Sequence, residues 1–530
     1  MHYKVGSWVI FFIFLGFLTA CEQYHRNRSH AAVSVASIRE GERLAKVYCQ
    51  SCHLFPDPSL ADSKSWEKGI LPAMGPRLGI FNHNFEQYPS SRRDSNVKKD
   101  FYPSAPLLTS EEWQHILDYY SATSPDSLPG QSRPRPIRNG LSLFQVVTPP
   151  RYYDQPATTL VRIDTTASCR GLYVYDVRYR DLVRYSPALH PTDSFHEDGA
   201  IVDMIRETNG WTACNIGMLN PNNGKFGKLQ SLGFSNGGDS GTSCKVRLDS
   251  QAIFNHLARP VQLAAGDLNG DGLQDYLVCE FGNLTGALSW LENKGNQRFE
   301  RHVIRALPGA IRAYIDDFNH DGLPDILALF AQGDEGIFLF TNQGKGVFTE
   351  ERVLQFPPIY GSSYFELADF NNDGQPDILY TCGDNSDFSP VLKPYHGLYI
   401  FLNDGHFHFK QRYFFPINGC YRAMARDFDG DGDLDIAAIS FFADYKNQPE
   451  EGFVYLENLG GFDFQPYGLP ETQQGKWLVM DTGDLDGDGR PDIVLGNFSF
   501  FAPATKSGVD FKKGPPFMVL RNKGQKRIIK

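Results

Sequence analysis

A nine-residue acidic segment recurs five times in the C-terminal half of this 530-residue chain. It reads DLNGDGLQD from Asp267, DFNHDGLPD from Asp317, DFNNDGQPD from Asp369, DFDGDGDLD from Asp427 and DLDGDGRPD from Asp484. Oxygen-bearing side chains always fall at positions 1, 3, 5 and 9. These are Asp267, Asn269, Asp271 and Asp275 in the first loop, then Asp317, Asn319, Asp321 and Asp325 in the second. The third has Asp369, Asn371, Asp373 and Asp377, the fourth Asp427, Asp429, Asp431 and Asp435, and the fifth Asp484, Asp486, Asp488 and Asp492. Alternate oxygens around a glycine at position 6 suit a tight loop that wraps a hard cation such as calcium. An EF-hand is excluded, because the flanks (DILALF, DIVLGN) read as strands and the last acid stands at position 9 rather than 12.

Each loop leads into a β-branched run, a further strand and an Asn-x-Gly turn at Asn293, Asn342, Asn403, Asn458 and Asn522. One loop plus four short strands in each interval of 50 to 58 residues is the pattern of a propeller blade. Over residues 261–530 the chain resembles the FG-GAP/VCBS repeat, the calcium-bearing blade of integrin α-type propellers. That resemblance implies up to five calcium ions and an all-β disc. Residues 141–260 lack the loop but carry strand patterns such as GLYVYDVRYRDLVRYS, enough for two degenerate blades. The expectation is a seven-bladed propeller over 141–530.

A second chemistry stands near the start. CQSCH places Cys49, Cys52 and His53 at the spacing of covalent haem attachment. A zinc half-site would want a second CxxC or HxxxH nearby, and a thioredoxin-like pair would want a βαβ context; neither is present. GERLAKVYCQSCH resembles the start of a class I cytochrome c. The resemblance implies one haem c, bound through Cys49 and Cys52, with His53 as proximal iron ligand. Met74, in ILPAMGPRLG, is the expected distal ligand, with His83 and His115 as alternatives. Thr109 and Glu112 form a capping box ahead of Trp113, Ile116, Leu117 and Tyr120, which share one helical face. This matches the closing helix of that family, so a small all-α cytochrome c-like domain is expected over 37–130. A Pro- and Gly-rich linker follows at 131–140.

The first 20 residues read as a signal peptide, with an apolar run from Val9 to Leu18 too short for a confident membrane span. Leu18-Thr19-Ala20-Cys21 resembles a bacterial lipobox, which implies cleavage before Cys21 and a lipid anchor there, with 21–36 as a tether. The expected location is the bacterial cell envelope, on the outer membrane, facing the periplasm or the cell surface. Net charge is -11, yet the five loops hold 18 of the 62 acidic residues. The rest of the chain therefore has 44 acidic residues against 51 Lys+Arg, which points to metal-ligand charge and away from a nucleic-acid partner. Cys382 and Cys420 stand where blades would bring them together, a candidate disulfide in an oxidising compartment.

From the ninth-position Asp to the turn Asn the count is 18, 17, 26, 23 and 30 residues, so extra length collects on the face opposite the loops. Tyr395, Tyr445, Phe501 and Phe511 in those insertions, with Arg312 and Arg422 near the start of inner strands, are candidates for a ligand face. No catalytic motif is evident. These features predict an exported, lipid-anchored haem protein that exchanges electrons with a redox partner protein, its propeller binding a glycan or protein. Two alternatives stay open. One is an oxidoreductase whose propeller oxidises a substrate, a carbohydrate for example, and passes electrons to the haem; the other is an adhesive propeller.

Overall fold

The computed structural model describes residues 33–81, 94–208, 210–234, 246–386, 390–500 and 511–524. Two 14-residue helices, α1 (Val35–Tyr48) and α2 (Ser110–Thr123), cross near the N-terminal end. The Ser34 side chain caps α1 by accepting from the Ser37 amide. Both arms of the expected capping box start α2: the Glu112 amide donates to Thr109 Oγ1 at 3.2 Å, and the Thr109 amide donates to Glu112 Oε2 at 2.8 Å. Trp113, Ile116 and Tyr120 are buried against Ile38, Leu44 and Ala45. Gly41 allows the close crossing, since a Cβ there would lie 1.9 Å from the His115 carbonyl oxygen. Between the helices, residues 63–78 wind through successive short turns that include a π-helical stretch, Trp66–Ile70. The Trp66 indole donates to the Pro58 carbonyl at 2.9 Å and packs on the Tyr120 ring.

The rest of the chain forms a seven-bladed propeller, each blade a four-stranded antiparallel sheet around a common axis. The innermost strands are Thr158–Asp164, Ile201–Glu207, Pro260–Gly266, Ala310–Asp316, Ser362–Ala368, Cys420–Arg426 and Trp477–Gly483. The second strands of the loop blades, such as Asp325–Phe330 and Asp435–Ser440, are buried at every residue. Covered on both faces by neighbouring blades, they read as continuous apolar runs rather than as alternation.

Closure differs from the sequence expectation in one respect. The last blade draws only three strands from the C-terminal end. Its outer strand is Phe144–Val147, paired antiparallel with Phe517–Asn522 in the register Phe144↔Asn522. The two blades without loops therefore span 158–196 and 201–257. A ring of sheets needs its last edge covered, and the start of the chain covers it. The stretch read as a linker is also tied down. Gln131 donates to the His396 carbonyl at 2.7 Å, Arg133 pairs with the buried carboxylate of Glu451, and Arg138–Asn139 adds a parallel fifth strand to the sixth blade.

One irregularity repeats in all seven inner strands. Each slips its register by one residue just after its first pair, a bulge that skips Thr159, Val202, Val261, Ile311, Ser363, Tyr421 and Leu478. The residues that follow are Leu160, Asp203, Gln262, Arg312, Tyr364, Arg422 and Val479, one from each blade.

Candidate functional site

The five acidic loops lie together on the face where the inner strands end. In the first, the Asp267 carboxylate accepts from the amides of Gly270 and Gly272, both at 2.8 Å, and Asn269 Oδ1 accepts from Asp271 at 3.0 Å. The position-6 glycines have φ of 81°, 87°, 82°, 101° and 84°, the left-handed region that favours glycine, which explains their recurrence. The ninth-position Asp has a structural job. Asp275, Asp325, Asp377, Asp435 and Asp492 are at most 1 % exposed, and each accepts the amide of its turn Asn at 2.7 to 2.9 Å. In four loops it also accepts the position-2 amide. It thereby ties loop to turn.

Carboxylate oxygens converge most closely in the last two loops. Those of Asp427, Asp429 and Asp435 lie within 4.8 Å of one another, as do those of Asp484, Asp486 and Asp488. Burial raises the carboxyl of Asp429 to about 6 and that of Asp435 to about 7, with neighbouring carboxylates adding to both. Such a set of hard oxygens fits a calcium ion. The fifth loop is distinct, because arginines already face its acids: Arg170 lies 3.2 Å from Asp484, Arg521 lies 3.2 Å from Asp486, and Arg490 contacts Asp488.

The opposite face holds a cavity of about 1510 Å³ between the helical unit and the mouth of the propeller. Cys49, Cys52, His53 and Met74 all line it, with Trp66, Ile70, Leu71 and Leu78 as apolar wall. Cys49 ends α1, and both cysteines are free thiols; burial pushes that of Cys49 up to about 11. His53 Nδ1 lies 2.8 Å from the Leu54 carbonyl oxygen, which can only accept. That bond puts the proton on Nδ1 and leaves Nε2 with a lone pair for a metal. These residues fit a covalently bound haem. His115, the alternative ligand, does not line the cavity; its Nδ1 lies 2.6 Å from Ser37 Oγ in the seam between α1 and α2.

Across the cavity stands the bulge ring. Side chains on or next to it bond the backbone of the next blade at all seven junctions. Thr159 Oγ1 donates to the Ile201 carbonyl at 2.7 Å, Asp203 accepts from the Leu263 amide at 3.2 Å, and Gln262 accepts from Ala313 at 3.1 Å. Tyr314 donates to the Phe365 carbonyl at 3.3 Å and Glu366 accepts from Ala425 at 2.7 Å. Arg422 donates to the Met480 carbonyl at 2.7 Å, and Asp481 accepts from Ile163 at 2.8 Å. Arg162 pairs with Asp203 at 2.5 Å and Arg426 with Glu366 at 2.8 Å.

Arg312 and Arg422 thus lie on inner strands and line the cavity. Sequence reading missed Arg162, Asp203, Tyr364 and Asp481. Arg312, Arg422, Gln262 and Tyr364 each stand five residues before a loop, an offset that would have found Tyr364. The blades of Arg162 and Asp203 have no loop to count from.

The aromatic candidates divide. Tyr395 stacks on Tyr360 with ring centroids 4.5 Å apart and donates to the Leu60 carbonyl at 2.8 Å, so it docks the helical unit on the propeller. Tyr445 and Phe511 are not offered to a ligand: they are 6 % and 8 % exposed and pack on each other, because the long insertions bury their own apolar surface. Phe501, His83 and Cys21 lie outside the described residues, as does the signal peptide. Cys382 and Cys420 are buried free thiols rather than a disulfide, and Cys382 donates instead to the Tyr395 carbonyl at 3.3 Å. Cys169 is disulfide-bonded. Among the described residues no helix is long and apolar enough to cross a membrane.

Residues 267–328 and 317–380 match the model of the FG-GAP-like repeat. The chain is 26% identical over 184 residues to integrin alpha-3 of Cricetulus griseus, covering 31% of this chain and 17% of the relative. It is 28% identical over 171 residues to a T-cell immunomodulatory protein homolog of Plasmodium falciparum, covering 28% and 22%. The chain thus spans less than a quarter of the length of these relatives. Among solved structures, Saccharomyces cerevisiae Sqt1 matches with a TM-score of 0.42 at 8% identity, covering 70% of this chain and 97% of that one. BBS1N in complex with ARL6DN matches with a TM-score of 0.41 at 8% identity, covering 72% and 97%. The blade count rests on the strand order.

Proposed function

We propose that this seven-bladed propeller of FG-GAP-like repeats is an exported electron-transfer protein that binds its ligand in the cavity shared with the helical unit. The observation that carries the reading is the continuity of that cavity, which reaches from Cys49, Cys52, His53 and Met74 to the bulge ring. Cys49 and Cys52 would hold a haem c by thioether bonds, and His53 and Met74 would be the side chains offered to its iron. The haem supplies one-electron chemistry at a potential set by those ligands. The chain orients the His53 ring through Leu54 and keeps water away with Trp66, Ile70, Leu71 and Leu78.

Calcium belongs to the same reading as a structural ion. The oxygens at positions 1, 3, 5 and 9 of the five loops would hold it, and neutralising these crowded carboxylates would stiffen the disc. Export and lipid attachment at Cys21 complete the picture, with electrons exchanged with a separate protein. The continuous cavity also favours a second reading, in which a molecule bound on the axis exchanges electrons directly with the haem.

The test is protein matured in cells with cytochrome c assembly machinery. Haem should remain attached through acid–acetone extraction and be absent from the Cys49→Ser/Cys52→Ser variant. Met74→Ala should lower the reduction potential and alter the absorption spectrum. Haem extracted freely from the wild type would sink the attachment, and an unchanged spectrum in Met74→Ala would move the distal ligand to another residue.

A further inference from the structure

Among the partly buried arginines of the propeller, Arg312 has the poorest set of partners. Arg162, Arg305, Arg426 and Arg521 each pair with a carboxylate. Arg259 donates to the carbonyls of Gly282 and Leu219. Among the described residues Arg312 hydrogen-bonds only the Tyr314 hydroxyl, at 3.3 and 3.4 Å, which are long contacts for a charged donor. Its guanidinium lies 5.0 Å from the Tyr364 ring centroid, and that of Arg422 lies 4.7 Å from the same ring. Arg422 spends one nitrogen on the Met480 carbonyl and has no carboxylate within ion-pair distance among the described residues. Tyr364 is 4 % exposed, and its hydroxyl has no hydrogen-bond partner among the described residues. All three side chains line the cavity.

Neither guanidinium has a carboxylate within ion-pair distance among the described residues, and Asp203, which attracts Arg312 from farther off, is already paired with Arg162, so two like charges beside one aromatic ring repel each other with incomplete neutralisation. A bound anion relieves that repulsion and supplies the missing acceptors. We infer that Arg312, Arg422 and Tyr364 form an oxyanion-binding site on the propeller axis for the carboxylate or phosphate group of a small organic ligand. The bulged residues Val202, Val261, Ile311 and Leu478 line the same cavity and offer an apolar wall for the body of such a ligand. The cavity of about 1510 Å³ exceeds the roughly 300–1,000 Å³ of ordinary ligand pockets, so it has room for a second molecule beside a haem. The inference rests on the cavity as the ligand site and not on the haem, since every residue named stands on the propeller.

The experiment titrates full-length protein with succinate and with inorganic phosphate at constant ionic strength, by calorimetry and by thermal shift. It uses both the haem-bearing form and the Cys49→Ser/Cys52→Ser form. Saturable binding of at least one probe in both forms is expected, with glucose, an uncharged control, showing none. Arg312→Gln should weaken binding at least tenfold; Arg312 meets the Tyr364 ring of the next blade but donates no hydrogen bond to that blade among the described residues, so this variant should still fold and melt in one cooperative transition without ligand. Arg312→Lys should recover part of the affinity by charge alone. A result of no saturable binding in either form, or undiminished binding in Arg312→Gln, overturns the inference. Binding in the cysteine variant alone also overturns it, because the arginines then serve the carboxylates of the haem. Failure of haem attachment with anion binding intact leaves this site standing and removes only the electron-transfer reading.

Discussion

On the loop face of the propeller, equivalent positions carry the same chemistry in blade after blade: Asp at 1, Asp or Asn at 3, Asp at 5, Gly at 6 and a buried Asp at 9. On the cavity face the equivalent positions are Leu160, Asp203, Gln262, Arg312, Tyr364, Arg422 and Val479. Both faces belong to the same strands, and the bulge at the cavity end is as regular as the loop at the other. Repetition therefore marks the backbone frame on both faces, and side-chain uniformity marks only the face whose work is the same in every blade. A face that must be asymmetric to recognise one molecule keeps the repeated backbone and varies the residues it presents.

Calcium removal should separate the faces most forcefully. A site held at a hundredfold excess over its dissociation constant contributes about 2.7 kcal/mol of stability. Chelator should therefore cost on the order of 5 kcal/mol or more, the equivalent of at least two sites, read as a large fall in the melting temperature of the propeller. The fifth loop, with Arg170, Arg490 and Arg521 on its acids, should be the weakest site in a calcium titration. A melting temperature indifferent to chelator would mean that the loops stand by their internal hydrogen bonds alone.

What could be read in advance follows the same division. The blade repeat and the glycine turns are local patterns whose physics lies within about a dozen residues, and they were legible. Ring closure by Phe144–Val147 was not, because a four-residue outer strand carries no signal that its partner lies 370-odd residues away at Phe517–Asn522. Arg312 and Arg422 were found through their offset from a loop, whereas Arg162 and Asp203 sit in blades that lack one. Tyr445 and Phe511 were misjudged for another reason: a long aromatic insertion looks the same in sequence whether it reaches outward or folds upon itself.

Ring closure gives the next largest effect and tests the frame common to both faces. Phe144 is 6 % exposed and meets Phe428 and Tyr455 edge-on, so it joins the outer strand of the last blade to the core of the sixth. Phe144→Ala should cost about 3–5 kcal/mol in chemical denaturation. The cost should persist with calcium saturating, since the lost contact is apolar packing, although Phe428 is the second residue of the fourth loop and Tyr455 donates to its Asp435. A loss under 1 kcal/mol would mean that the seam opens without consequence, and the ring would then be held by the junction bonds around the axis.

The smallest predicted effect belongs to the cavity face and depends on pH. Glu335 is 3 % exposed, lines the cavity, and accepts from the Ser362 amide at 2.9 Å and its hydroxyl at 2.6 Å. Burial raises its carboxyl from 4.5 to about 7, with Asp384 adding to the rise against the pull of the Ser362 bonds. The folded chain thus holds a proton between pH 4.5 and 7 that the unfolded chain has released. Stability falls as pH rises through that window, and above it the carboxylate stays buried and charged. The full swing is on the order of 3 kcal/mol. Glu335→Gln keeps an acceptor for Ser362 and removes the titration, so the variant should gain on wild type at pH 8 and lose that advantage at pH 5. Subtracting the two denaturation profiles at each pH cancels the loop carboxylates, which titrate alike in both proteins. A difference independent of pH would show that Glu335 is ionised throughout, and would place a countercharge beside it that the cavity wall does not now supply.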